Sequence, residues 1–209
     1  MKTCFLYFLV LFAGTASILS CQKELNGFSD GTTNPVPADE KPRVGTIWTY
    51  SYYTYYAYPG GVRDIKTVHH KAKEEVTLGG EKWLNIIDMD GDTTVYYLNT
   101  KVDGLYQYTN SNPYLLCKYP AAVNDTYNTY NNGSTEFFTV RGVNDTTSTN
   151  IGDIPLSKYE GVKNGDIIDL IWYNKNAWLV WRWEYRRTTG PTTFIYYLSS
   201  KLFLTNIVY

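Results

Sequence analysis

The sequence predicts an all-β protein built from antiparallel strands that tight turns connect. From residue 45 onward, short stretches alternate apolar and polar residues, and glycine, asparagine and aspartate interrupt them at close intervals. The 21 tyrosines among 209 residues suit half-buried strands, because the ring packs while the hydroxyl reaches water. We expect a sandwich or a strongly curved partial barrel of about ten or more strands, with no substantial helix after residue 20.

The first residues have the features of a cleaved secretory signal. Lys2 supplies a positive start, and the apolar run Cys4–Ala13 follows it. Gly14 and the hydroxyl residues after it interrupt the run, well short of the ~20 apolar residues that a membrane-spanning helix needs. We therefore predict that residues 1–20 are a signal peptide and are absent from the mature chain.

Cys21 indicates which kind of signal this is. Ile18 lies three residues before it, and the small Ser20 lies directly before it. This arrangement resembles a bacterial lipoprotein signal, which implies that Cys21 becomes the lipidated first residue and that its palmitate-type chains anchor the protein in a cell-envelope membrane. Gln22 is not the aspartate that favours the inner membrane in enteric lipoproteins, so the outer membrane is expected. A plain secretory signal with another cut site is the alternative.

Residues 21–44 are expected to form a flexible tether between the lipid and the folded region. The stretch Asn34–Pro42 contains three prolines among polar and charged residues, which neither a helix nor a central strand accommodates. The remainder, residues 45–209, has a length that fits one antiparallel β domain.

Aromatic residues occupy both faces of the first strand in that domain. One face carries Trp48, Tyr50, Tyr52, Tyr56 and Tyr58. Tyr53 and Tyr55 fall on the other face, and aromatics on both faces cannot all be core in a two-layer domain. The first set is therefore our candidate ligand-binding face, with cross-strand packing as the alternative.

Several hairpins can be predicted from their turns. Trp83–Ile87, Thr94–Leu98 and Leu105–Tyr108 should be consecutive strands, because Asp-Gly pairs between them supply the positive φ that tight turns require. By contrast, residues 124–150 are rich in Asn, Thr and Asp, and we expect the longest loops there. A binding site on loops would lie in that region or at the Tyr58–Gly61 turn.

A further hairpin is predicted near the C-terminus. Leu170–Tyr173 and Leu179–Arg186 flank an Asn-Lys-Asn turn. In the second strand, Trp181 and Trp183 alternate with charged residues that include Arg182. We expect the tryptophans to face the core and the charged residues to face water.

Four segments together resemble a broad group of bacterial envelope lipoproteins with a β-rich C-terminal domain: Gly45–Tyr50, Gly79–Trp83, Tyr96–Leu98 and Asp103–Tyr106. The resemblance implies repeated β-hairpins arranged as a half-barrel or sandwich. It carries no activity with it.

Charge and cysteine content exclude several functions. The net charge is −1, with 19 basic and 20 acidic residues, so we expect no nucleic-acid partner. Cys4 leaves with the signal and Cys21 takes the lipid, which leaves Cys117 without a disulfide partner. We expect Cys117 to be a small buried apolar residue.

No motif indicates a metal, a cofactor or a catalytic centre. In Asp88–Asp92 the glycine is misplaced for a calcium-binding loop, so the segment is predicted to be a hairpin turn. His69 and His70 are the only histidines, and adjacent strand residues point to opposite faces, so they cannot bind one metal together. No Gly-x-Ser-x-Gly segment accompanies them.

These observations favour a non-catalytic binding protein, held at the membrane through Cys21, with a glycan or a hydrophobic ligand. A structural or assembly accessory of an envelope protein complex is the alternative, and it predicts a flat apolar patch. A hydrolase ranks third, because it requires clustered carboxylates that the sequence does not single out. We do not expect an enzyme.

Overall fold

The computed structural model describes residues 40–57, 61–131, 133–189 and 194–209. Cys21 and Tyr58 lie outside these ranges. Twelve strands form within them: β1 (Ile47–Tyr55), β2 (Val62–Leu78), β3 (Glu81–Asp88), β4 (Thr93–Lys101), β5 (Gly104–Thr109), β6 (Asn112–Lys118), β7 (Thr126–Asn131), β8 (Ser134–Thr149), β9 (Gly152–Lys163), β10 (Asp166–Asn174), β11 (Trp178–Thr189) and β12 (Phe194–Val208).

The strands form one antiparallel sheet that is nearly closed and barrel-like. Except for β6 and β7, strands that follow one another in the chain pair with one another, and the first and last strands also pair, with Tyr52 opposite Leu202. The predicted all-β antiparallel fold is confirmed, as a curved barrel-like sheet rather than a sandwich. The described residues contain no helix that is long and apolar enough to cross a membrane.

Side chains, rather than backbone pairing, join the two edge strands β6 and β7 among the described residues. The Tyr127 hydroxyl of β7 donates a hydrogen bond to the Leu116 carbonyl oxygen of β6 at 2.8 Å. The rings of Tyr114 and Tyr130 stack across the same seam, with centroids 5.2 Å apart. The side chains thereby cover edges that would otherwise be open to strand addition.

The two ends of the sheet differ in how their interior is filled. At the Ile47 end, where β1 begins, the turn between β10 and β11 folds inward. The Trp48 indole N–H donates to the Ala177 carbonyl oxygen at 2.9 Å, and the Trp48 ring stacks on Trp178. The interior of the Tyr55 end, where β1 finishes, contains a cavity with charged and polar side chains in its lining.

The predicted hairpins are present. The Trp83, Thr94 and Leu105 segments form β3, β4 and β5, and the Leu170 and Leu179 segments form β10 and β11. Cys117 is fully buried, as expected.

The faces of β11 are the reverse of those predicted. Arg182 is 3 % exposed and points into the barrel, whereas Trp181 and Trp183 are half-buried on the outer face. The Lys201 ammonium lies 4.0 Å from the centroid of the Trp183 ring and covers part of it. The prediction was wrong because alternation does not reveal which face is inner, and because Asp169 compensates the charge of Arg182 inside.

The long loops expected within residues 124–150 are also absent from the described part of that region. Residues 126–131 form β7, and residues 134–149 form the 16-residue strand β8. Register irregularities between Val140 and Gly142 and between Gly142 and Asp145 accommodate the turn-favouring residues as bulges. The threonines of β8 are β-branched and favour the extended conformation of the remainder of that strand.

Candidate functional site

A cavity of about 220 Å³ lies inside the barrel, in the half nearer the Tyr55 end. Six strands line it, namely β1, β2, β3, β4, β11 and β12. Its lining combines two tyrosine rings with charged and polar side chains: Tyr52, Lys66, His70, Asp88, Tyr96, Arg182, Glu184 and Ser200. This composition distinguishes it from the apolar interior around Trp48.

Strand pairing explains how the charged residues come together. Glu184 lies opposite Asp169 in the β10–β11 pair, and Arg182 lies opposite Ile171. Arg182 is therefore the diagonal neighbour of Asp169 on the inner face, which is within reach of a long side chain. On the other side of β11, Ser200 of β12 lies opposite Glu184.

Arg182 is held by two carboxylates at one wall of the cavity. Its Nη2 donates to Asp169 Oδ2 at 2.7 Å, and its Nε lies 3.3 Å from Glu184 Oε1. Burial would lower the pKa of Arg182, but the charges of Asp169 and Glu184 together outweigh burial and hold this pKa well above its usual value. Arg182 Nη1 also donates to the Tyr96 hydroxyl at 3.4 Å, which directs that ring against the cavity.

His70 lines the cavity as a neutral imidazole. It is 8 % exposed, and its ring lies 5.2 Å from the Tyr50 ring and 6.2 Å from the Tyr96 ring. Burial lowers the pKa of His70 to about 4; Asp88, its cross-strand partner, opposes that effect, and His69 adds to it. At neutral pH the ring therefore offers a hydrogen-bond donor and an acceptor without a charge.

The aromatic face proposed from the first strand is divided between several environments. Trp48 and Tyr50 are buried below the cavity, where the Tyr50 hydroxyl donates to the Leu179 carbonyl oxygen at 3.1 Å. Tyr52 lines the cavity, and the Lys66 ammonium lies 5.7 Å from the centroid of its ring. Tyr56 is 52 % exposed beyond the end of β1. Tyr58 and the lipidation residue Cys21 are outside the described residues.

Sequence reasoning missed most of the cavity lining. Arg182 and Glu184 were assigned to a wet face, and Asp88 was assigned only to a turn. One signal in the sequence could have indicated Arg182, namely its position between two tryptophans. In an alternating strand either the tryptophans or the charged residues must face the interior, so an inward Arg182 was one of the two possibilities. Among the described residues there is no group of three or more His, Cys, Asp or Glu side chains placed to hold a metal ion.

The cavity offers hydrogen bonding in both directions beside aromatic rings. Asp88 and Glu184 accept hydrogen bonds, Lys66 and Arg182 donate them, and Ser200 does both. The chain matches no protein-family model, no curated protein and no solved structure.

Proposed function

We propose that the protein is a non-catalytic binding protein that takes a small, hydroxyl-rich ligand, such as one sugar residue of a glycan, into the inner cavity. The observation that carries this proposal is the lining itself, in which the Arg182–Glu184 pair stands beside Tyr52 and Tyr96. Each hydroxyl of a sugar both donates and accepts a hydrogen bond, and its C–H faces pack on aromatic rings. The lining provides a counterpart for each of these features.

The charged lining disfavours a hydrophobic ligand. An apolar molecule in this cavity would separate Lys66, Asp88 and Glu184 from water without replacing their hydrogen bonds, which costs several kcal/mol. The volume points in the same direction. About 220 Å³ is below the ~300–1,000 Å³ of sites for drug-sized molecules, so the cavity suits a single ring rather than an acyl chain.

A hydrolase remains the second candidate because Asp88 and Glu184 line the same cavity. Two carboxylates that flank a bound sugar are the catalytic groups of most glycosidases. Any glycan that binds should therefore also be tested for cleavage. Release of a reducing sugar that Asp88→Asn abolishes would favour the enzyme over the binding protein.

We also propose that the mature chain is anchored through lipid on Cys21 in the cell envelope, in the outer membrane. The tether joins the sheet at the Ile47 end, whereas the cavity lies in the half nearer the opposite end. Attachment ahead of β1 leaves the Tyr55 end of the sheet free of the chain that leads to Cys21, which suits capture of a ligand from the surrounding medium.

The ligand proposal predicts a specific effect of Asp88→Asn. The detergent-extracted full chain is applied to a glycan array, and the monosaccharides of the bound glycans are then titrated by calorimetry. We expect Asp88→Asn to weaken binding by about tenfold to a hundredfold, since hydrogen bonds to charged groups contribute ~1.5–3 kcal/mol. Asp90→Asn, two residues later in the exposed turn, is the matched control and should bind normally. Absence of any bound glycan, or equal affinity of the two variants, would contradict the proposal.

The anchor proposal predicts different behaviour for two cysteine variants. Expressed in a bacterial host with labelled palmitate, the Cys21→Ser chain should lose the label and leave the membrane fraction, because the acylated sulfur is gone. Cys4→Ser changes a cysteine inside the predicted signal peptide and should keep both label and location. A Cys21→Ser protein that still carries palmitate and stays in membranes would refute the anchor.

A further inference from the structure

A second cavity, of about 290 Å³, lies at the Ile47 end of the sheet. It is lined by β8 and β9, by the end of β10 with the following turn, and by the connection between β6 and β7. None of its lining residues lines the inner cavity at the other end. A ligand bound there would therefore occupy a site distinct from the inner cavity.

One buried polar group in this lining has no partner. Tyr173 is 1 % exposed, and its hydroxyl makes no hydrogen bond with any described residue. An unpaired buried hydroxyl is unfavourable, and a bound molecule that supplies an acceptor removes that penalty. The Tyr173 ring lies 6.2 Å from the Tyr119 ring, so the two form an aromatic wall beside the cavity.

Two opposite charges stand at the rim without compensation. Asp153, near the start of β9, and Lys175, in the turn after β10, both line the cavity and are exposed. Neither forms an ion pair with another described residue. Because Tyr173 is paired with Ser157, both charged residues lie beyond that pair at the same end of the sheet.

Two asparagines also line the cavity. Asn144 lies at a bulge of β8 with φ +55°. The Asn174 side-chain oxygen accepts the backbone N–H of Asn176 at 2.8 Å. The Asn174 side chain is thus fixed by its own turn.

We propose that this cavity binds a small zwitterion of the free amino acid class. The ligand ammonium pairs with Asp153, its carboxylate pairs with Lys175 and accepts a hydrogen bond from the Tyr173 hydroxyl, and its side chain packs against the Tyr119 and Tyr173 rings. A purely anionic ligand would be repelled by Asp153, and a purely cationic ligand would be repelled by Lys175. A zwitterion can pair with both residues. The aromatic wall favours an apolar side chain over a charged one.

The test first identifies the amino acid that binds best and then compares it with two derivatives. The detergent-extracted full chain is titrated with the common amino acids. The best ligand is then compared with its N-acetyl form, which lacks the ammonium, and with its amide, which lacks the carboxylate. We expect each derivative to bind at least tenfold more weakly than the parent. No binding at millimolar concentration, or derivatives that bind as tightly as the parent, would overturn the proposal.

Charge variants assign each contact. Asp153→Asn should weaken binding of the parent amino acid about tenfold, without further weakening binding of the N-acetyl form. Lys175→Gln should likewise weaken binding of the parent about tenfold, without further weakening binding of the amide. Asp88→Asn, in the inner cavity, should leave amino acid binding unchanged and so separates this proposal from the previous one. If Asp88→Asn alone weakened amino acid binding, the ligand would belong to the inner cavity and the proposal would fail.

Discussion

Replacing Arg182 by methionine is expected to lower the free energy of unfolding by about 3–5 kcal/mol, because the buried Asp169 carboxylate then loses the guanidinium charge that compensates it. Both side chains are almost inaccessible, with 3 % and 0 % of their surfaces exposed. Urea denaturation followed by tyrosine and tryptophan fluorescence measures the loss as a shift of the midpoint at constant slope.

Two further variants separate the effect of burial from that of charge pairing. Arg182→Met combined with Asp169→Leu should recover most of the loss, since replacing both members of a buried pair by apolar residues is often neutral or stabilising. Arg141→Met breaks the pair with Glu160, in which the arginine side chain is 44 % exposed, and should cost ~1 kcal/mol or less. If Arg182→Met lowered the free energy of unfolding no more than Arg141→Met does, the Arg182–Asp169 pair would be hydrated rather than buried.

The buried Arg182–Asp169 pair also contributes to the polarity of the inner cavity. Because apolar replacements of buried ion pairs are often neutral or stabilising, we do not expect stability alone to account for Arg182 and Asp169. The pair directs a guanidinium toward a cavity in which Glu184 and Tyr96 also stand. A fixed donor array of this kind is useful for recognising a ligand.

Local signals in the sequence were sufficient to predict the hairpins. The Asp-Gly pairs mark the turns on either side of β4, and the alternation of β11 correctly predicts a strand. The pairing of β1 with β12 could not be predicted in this way, because strand periodicity carries no information about partners distant in the chain. That pairing joins the two halves of the sheet, and the approach of β6 to β7 then makes it barrel-like and defines which face is inner.

The candidate site was harder to predict for the same reason. Its residues come from six strands, and the pairing of β1 with β12 and the curvature of the sheet bring Asp88, from β3, to the same cavity as Glu184, from β11. Among the described members of the predicted aromatic face, Tyr52 alone lines the cavity, and Trp48 and Tyr50 pack below it. A period of two assigns residues to a face, but it does not locate the cavity along that face.

Gly104→Ala is expected to destabilise the protein by about 3–5 kcal/mol, from backbone strain and overpacking together. Gly104 begins β5 with φ +147°, a conformation that side chains other than glycine rarely adopt. A Cβ atom there would overlap the Cys117 carbonyl oxygen and lie 2.9 Å from Leu115 Cδ1. Because the first of these is a backbone atom of β6, relief requires β5 and β6 to separate.

Gly80→Ala provides the matched control for that variant. Gly80 lies in the turn between β2 and β3 with φ +82°, and a Cβ atom there would meet nothing within 4 Å. The control therefore carries the conformational strain without the collision, and its expected cost is about 1 kcal/mol. Both variants are measured by urea denaturation under the same conditions. Equal losses would show that the conformation of Gly104, rather than the close approach of β6, is what requires glycine at this position.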